Sequence, residues 1–359
     1  MIVKEQPFFS IIMPTYGVEK YIKHAIQSIM EQTYSDWEII VVNDSSPDTS
    51  AAIAGQLAKE DDRIRIVHHE KNRGLSAARN TGIQKASGKY IWFMDPDDYV
   101  DTDVLEKVKV SIDKNPAEVV MFGLIEEYYD RNEKPEYTHS ICPEEQLYET
   151  QEELRRAMIR YEQETLYGYA WNKIYNLEYM RKHDFQYENV KLIEDIEFNI
   201  RFFMDIQKLN VLGITPYHYA KRLNGSLTNK FVPEYFKTHR RRIELLYEQH
   251  QYWNLCTEEV KQILGSLYSR YIVSALERNC DKRSGMSHER RCRWCRAVFG
   301  DGLFETLIPA AKAKDSKVLK IAIRLLKRKQ TMLCLAMGRG IHMIRSGMPM
   351  LYSKVKSGR

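Results

Sequence analysis

Six cysteines scattered over 359 residues give no sign of a disulfide framework. Long hydrophobic runs are also missing, since none approaches the ~20 residues a membrane-spanning helix needs. Lys4, Glu5 and Gln6 interrupt any apolar core that a secretory signal would require, so the expected location is the cytosol. Cys292-Arg-Trp-Cys295 is a lone Cys-x-x-Cys, with Cys280 and His288 upstream. Without a second close ligand pair it reads as reduced thiols on a helix rather than as a zinc site. What remains is ordinary for a globular protein: 43% hydrophobic and 29% charged residues, enough for one large domain and a smaller one.

Charge is unevenly placed. The net charge is +5, yet from Lys312 to Arg359 there are 13 Lys and Arg against the single acid Asp315. The tail is therefore +12 and the remainder −7, a segregation that favours an anionic partner for the tail. Lys317, Lys320, Arg324 and Lys327 recur at helical spacing, with Val318, Ala322, Leu325 and Leu326 on another face. Such a helix either lies on an anionic membrane surface, peripheral to the inner face of the cell membrane, or packs on the preceding domain with its lysines in water. Nucleic acid is a weaker fit, because the rest of the chain implies another substrate.

The first hundred residues alternate strand and helix. Strands are expected at Phe8–Met13, Trp37–Val42, Ile64–His68 and Tyr90–Met94, and helices at Val18–Gln32, Pro47–Glu60 and Leu75–Lys85. A helix near Val104–Asp113 and a strand at Glu118–Gly123 follow. This order predicts an α/β fold with a doubly wound, mostly parallel sheet. Asp130–Glu145 reads as a surface loop, Glu152–Tyr161 and Leu192–Phe203 as helices, and Pro216–Leu223 as a strand; after Pro233 the pattern is helical. Residues 1–230 form one expected domain and 231–359 a helical, basic region.

Open parallel sheets bind ligands beyond the carboxyl ends of their strands. Three such ends are polar: Pro14-Thr15-Tyr16, Asn43-Asp44-Ser45-Ser46 and Asp95-Pro96-Asp97-Asp98. Turn chemistry needs one aspartate, not three, whereas Mg²⁺ or Mn²⁺ would relieve their repulsion through hard oxygen ligands.

As an ordered set, these ends resemble the inverting family 2 glycosyltransferases of the GT-A fold. The matching pieces are Ser10–Tyr16, Val41–Ser46, Asn72–Asn80, Gly88–Asp98 and Glu194-Asp195-x-x-Phe198. The resemblance covers roughly residues 8–230 and does not extend to the tail. It implies a UDP-sugar donor, with Pro14, Thr15 and Tyr16 at the nucleotide and Tyr16 stacking on the base. Asp44 would accept a hydrogen bond from uracil N3–H, a donor that cytosine lacks, although Asn43 replaces the family's usual acid beside it. Asp95 would lie near the ribose, Asp97 would bind the metal, and Asp98 would support them. Arg79 would help hold the nucleotide sugar or form a structural ion pair.

Asp195 is implied as the general base and Glu194 as its neighbour for acceptor binding. Trp171, Asn172 and Lys173 match a segment near the acceptor site, where the indole could stack on a sugar or pack in the core. Lys221, Arg222 and Ser226 could reach a phosphate oxygen, and His218 is a candidate third metal ligand or a packed strand residue. The implied reaction transfers a hexose or N-acetylhexosamine to a hydroxyl of a glycan or lipid-linked saccharide in cell-surface polysaccharide biosynthesis. The alternatives are transfer to polyprenyl phosphate, which needs no base, and a nucleotide- or carbohydrate-binding protein without turnover.

Overall fold

The computed structural model describes residues 6–130, 132–190, 192–222, 232–313 and 316–347. Its central strands, β1 (Phe9–Thr15) and β2 (Trp37–Asn43), are buried at every position. That is the pattern of parallel strands covered by helices on both faces. Pro14 is tolerated inside β1 because β4 (Tyr90–Phe93) pairs with β1 only from Phe9 to Ile12. The missing N–H therefore lies past the end of the neighbouring strand. Crossovers are made by α1 (Ile22–Met30), α2 (Ser50–Glu60) and α3 (Leu75–Lys85) around β3 (Ile64–His68). Of these, α3 lies unusually close to the sheet, since a Cβ on Gly82 would overlap the Ile12 side chain.

Next come β5 (Tyr99–Val100), α4 (Val104–Lys114), β6 (Val119–Tyr129), β7 (Pro135–Ile141), β8 (Gln146–Tyr148) and α5 (Gln151–Gln163). They are followed by β9 (Lys173–Asn176), α6 (Leu177–Lys182), α7 (Glu194–Phe202) and β10 (Leu209–Lys221). The sheet order is β3-β2-β1-β4-β9-β6-β10-β5, with β7 on β6 and β8 on β10. Strands β3, β2, β1 and β4 are parallel, β9 enters antiparallel between β4 and β6, and β10 runs parallel to β6. The mostly parallel α/β expectation holds for this frame. Several details differ from it, the short β5, β8 and α6 among them. Residues 135–141, expected in a loop, form a hairpin partner of β6, and β9 had no expected counterpart.

The chain divides into two compact units, Met1–Asn229 and Lys230–Arg359. In the second, α8 (Tyr235–Tyr252), α9 (Glu258–Arg278), α10 (His288–Phe299), α11 (Gly302–Leu307), α12 (Lys317–Lys327) and α13 (Thr331–Gly347) follow one another. Side chains of Thr257, Ser287, Asp301 and Ser316 cap the N-termini of α9 to α12. The Cys-x-x-Cys pair points two ways: Cys292 Sγ lies 3.6 Å from His288 Nε2 on its own helix, whereas Cys295 hydrogen-bonds Cys334. Among the described residues no helix is long and apolar enough to cross a membrane.

Candidate active site

Parallel pairing brings the polar strand ends together. Thr15 is the register partner of Asn43, and the Asp44 N–H donates to the Thr15 carbonyl at 3.0 Å. Thr15 is buried behind the exposed Tyr16, whose side chain is therefore free to take a planar group. Asn43 shapes the turn, its Oδ1 accepting from the Ser46 N–H at 3.0 Å.

Asp44 is 3% exposed and already engaged. Its Oδ1 lies 2.6 Å from His69 Nδ1 and accepts from the Arg73 N–H at 2.8 Å; Oδ2 accepts from the Gly74 N–H at 2.7 Å. The carboxylate clamps the entry to α3, where Gly74 adopts φ +89. Any further donor has to share the carboxylate with these three groups.

Arg79, midway along α3, is the centre of the site. The guanidinium is 1% exposed, with Nη1 on Asp195 and Nη2 3.3 Å from Asp95. Burial opposes its charge, but Asp195, and further down Asp95, more than offset this and push its pKa up. One side chain thus joins the end of β4 to the start of α7, with Arg79 and Asp195 116 residues apart in sequence.

The three aspartates after β4 are distinct. Burial pushes Asp95 up to about 7, against the lowering effect of Arg79, with Asp97, Asp195 and Glu194 adding to the rise. Burial also raises Asp97, which Arg222 counteracts. Arg222 donates to the Asp97 carbonyl at 3.0 Å and lies 3.8 Å over the Tyr21 ring, so it stands beside the acidic loop. Asp98 is buried, accepting from the Tyr217 hydroxyl at 2.8 Å and from the Ala220 N–H at 2.9 Å. It pins the loop to β10.

At the other side, Glu194 and Asp195 open α7 just after Leu192, which adopts φ +74. A leucine in that region is strained. Asp195 Oδ2 accepts from the Ala170 N–H at 3.2 Å. Burial, and then Asp195, raise the pKa of Glu194, whose Oε2 is buried without a hydrogen-bond partner among the described residues.

Three expected site residues are not brought to the surface of the site. Trp171 is 3% exposed, stacked between Tyr217 at 4.3 Å and Tyr169 at 4.4 Å, so it packs in the core rather than against a sugar. Lys173 is fully buried, its Nζ donating to the Leu166 and Tyr169 carbonyls at 2.7 and 2.6 Å and to Asn172 Oδ1 at 2.8 Å. Burial depresses its pKa well below the usual lysine range. His218 is stacked on Tyr99 with Nδ1 2.9 Å from Glu127 and Nε2 3.1 Å from Asp101, which leaves no nitrogen for a metal beside Asp97.

Lys221 is similarly held, paired with Glu126 and 3.2 Å from the Tyr128 hydroxyl. Ser226 lies outside the described residues.

Two features escaped the sequence reading. Asn199, fully buried on α7, donates to the Tyr167 and Tyr169 carbonyls at 2.9 and 3.0 Å and accepts from the Tyr175 hydroxyl at 2.7 Å. Together with Lys173 it fixes the loop whose Ala170 N–H reaches Asp195. Tyr169 and Tyr219, half-buried and 6.0 Å apart, present the aromatic surface that Trp171 does not.

Comparison with known proteins agrees with this frame. Residues 10–183 match the model of glycosyl transferase family 2. Over that stretch, just under half of its length, the chain is similar to glycosyl transferase family 2. The uncharacterized glycosyltransferase EpsJ of Bacillus subtilis is 33% identical over 228 residues, 63% of this chain and 65% of EpsJ. The putative teichuronic acid biosynthesis glycosyltransferase TuaG of the same organism is 39% identical over 102 residues, 28% of this chain and 40% of TuaG. The match thus spans less than two thirds of either relative. Among solved structures, S. aureus TarS 1–349 in complex with UDP-GlcNAc superposes with a TM-score of 0.62 at 20% identity, covering 95% of this chain and 92% of TarS 1–349. That likeness shows a shared fold. Glu194 and Asp195 lie beyond the family 2 match, so their place rests on the geometry around Arg79.

The carboxylates suit a cation shared with a ligand rather than one caged by protein. Among the described residues, no three His, Cys, Asp or Glu side chains are arranged to hold a metal. Asp95 and Asp97 nonetheless offer hard oxygens in a spot where carboxylate charge is poorly compensated. Mg²⁺ and its like bind in this way, through one or two carboxylates plus substrate phosphates.

Proposed function

We propose that this protein is a metal-assisted inverting transferase acting in cell-surface polysaccharide biosynthesis. It moves a hexose or N-acetylhexosamine from a UDP-sugar to a hydroxyl of a glycan or lipid-linked saccharide. The single observation carrying the reading is Arg79, which gathers Asp95 and Asp195 into one acidic cluster. The UDP-GlcNAc bound by TarS and the polymer named for TuaG support the donor and the setting.

In this reading Tyr16 stacks on the base, and Asp44 and Asp95 bind the nucleoside. Asp97 would hold a Mn²⁺ or Mg²⁺, which would supply positive charge to the leaving diphosphate. Arg222 sits where it can add positive charge there. The acceptor oxygen bonds to the anomeric carbon from the face opposite UDP as the carbon–oxygen bond to UDP breaks, and the configuration inverts. Asp195 takes the hydroxyl proton, a contribution on the order of 10²–10⁴-fold. Arg79 and the Ala170 N–H keep that carboxylate in place. Tyr169 and Tyr219 offer a face for the acceptor sugar.

The test is UDP release from a panel of UDP-sugars with Mn²⁺ and a saccharide acceptor. Asp195→Asn is expected to lower turnover by at least about 100-fold while UDP still binds, and Asp97→Asn to abolish the metal dependence. Full activity in both variants would sink the mechanism. Activity that survives only in Asp195→Asn, with polyprenyl phosphate as acceptor, would move the reading to an already ionised acceptor.

A further inference from the structure

The helical unit carries a surface that transferase chemistry does not use. Helix α12 turns Leu319, Ala322, Ile323 and Leu326 inward, and α13 turns Cys334 and Leu335 inward, with Gly338 so close to α9 that a Cβ would lie 2.8 Å from the Leu276 backbone. Both helices have therefore used their packing faces, yet their outer faces are still apolar. Val318, Ile321, Met332, Leu333, Met343 and Ile344 are each about half exposed or more, from 49% to 67%. They make up half of the large hydrophobic residues exposed among the described residues, gathered on two consecutive helices.

Basic side chains border them. On the α12 wheel, Lys317, Lys320 and Arg324 occupy the outer arc beside Ile321 and Val318, and Lys327 and Arg328 extend it. These five are exposed and have no carboxylate partner among the described residues. By contrast, Lys329 pairs with Glu305 at 3.0 Å and Arg345 with Glu277 at 2.7 Å. The tail beyond α13 adds Lys354, Lys356 and Arg359 and no acid.

We infer that the outer face of α12 and α13 docks on an anionic phospholipid surface, with the apolar residues entering the headgroup region and the lysine stems spreading around them. A nucleic acid would use the charge but leave the six apolar side chains in water. A second copy of the chain would cover the apolar residues but bring two like-charged arcs together. A bilayer containing acidic lipids suits both features at once.

The test uses the full chain and vesicles of phosphatidylcholine alone or mixed equally with phosphatidylglycerol, read by co-sedimentation. Binding is expected only to the anionic vesicles and to weaken with salt as the Debye length shortens. Each basic residue near such a surface strengthens binding about fivefold, so Lys317→Gln, Lys320→Gln and Arg324→Gln together should weaken it about 100-fold. Ile321→Ser with Met343→Ser keeps every charge and should still cost about tenfold or more by loss of apolar insertion. All five positions are exposed, so circular dichroism and UDP binding should be unchanged in both variants. Those readouts keep a failure of docking separate from a failure of the transferase reading.

Equal affinity for neutral and anionic vesicles would overturn the inference. So would a charge-only response that the serine variants do not share, the pattern of nucleic-acid binding. A dimer by light scattering that the serine variants dissolve, without vesicle binding, would make the face a contact between copies.

Discussion

Lys173 shows what a buried charge can be kept for. Its ammonium satisfies three acceptors inside the fold and holds the loop from which the Ala170 N–H reaches Asp195. Replacing it with methionine fills the space but strands two carbonyls and an amide oxygen. Lys173→Met is therefore expected to destabilise the protein by about 3 kcal/mol in urea unfolding. A change below about 0.5 kcal/mol would mean that water or a loop shift replaces the lysine. Glu194 gives the opposite case, a carboxylate with too few partners. Its folded pKa is raised, first by burial and then by Asp195. A raised carboxyl stabilises the fold below its unfolded pKa, and that contribution is lost as pH rises through the folded value. Urea midpoints of Glu194→Gln should thus gain on the parent chain as pH climbs from 4.5 upward. Parallel pH profiles would show that Glu194 is already solvated or paired.

At the scale of elements, α7 and the loop before β9 work as one part because Asn199 ties them. Asn199→Ala removes two N–H donors to that loop, to the Tyr167 and Tyr169 carbonyls, without removing any side chain placed against substrate. The expected result is a fall in kcat of about tenfold with KM for the UDP-sugar little changed, since a misplaced base weakens the transition state alone. Equal losses in both constants would point to general loosening instead. These couplings explain what could and could not be read beforehand. From Phe9 to Phe93 the strands are mostly apolar, interrupted inside only by Ser10, Glu38 and Arg65, and each turn carries its polar residues, so period and punctuation suffice. β7 escaped because its exposed residues, Pro135–Tyr137 among them, show no buried alternation. β9 escaped because four residues are too few to show a period and its neighbours Trp171 and Asn172 suggested a sugar site. For Trp171 the sequence left sugar stacking and core packing open, and it set Lys173 beside the acceptor, for one reason: an aromatic or a lysine has the same letter whether it faces a ligand or the core. Asn199 carries no local signal, as its partners lie 24 to 32 residues away.

For the whole molecule the decisive quantity is the coupling between metal and nucleotide. Among the described residues no three protein ligands converge on one point, so a cation finds few fixed oxygens before phosphate arrives. Mn²⁺ alone should therefore bind weakly and shift the thermal midpoint little. UDP alone should fare only slightly better, because its diphosphate meets Asp95 and Asp97 with like charge. Together they supply one another's missing partners, the cation taking phosphate oxygens as well as carboxylates. The ligand-induced gain is about 2.7 kcal/mol when a ligand is present at 100 times its Kd. Thermal shifts should accordingly be clearly more than additive for Mn²⁺ with UDP, and chelator should return them to the value for UDP alone. Asp97→Asn should abolish the excess while leaving the small UDP shift. Additive shifts in the parent chain would mean that the acidic cluster binds metal without the nucleotide, or not at all, and Asp97 would lose its assigned place.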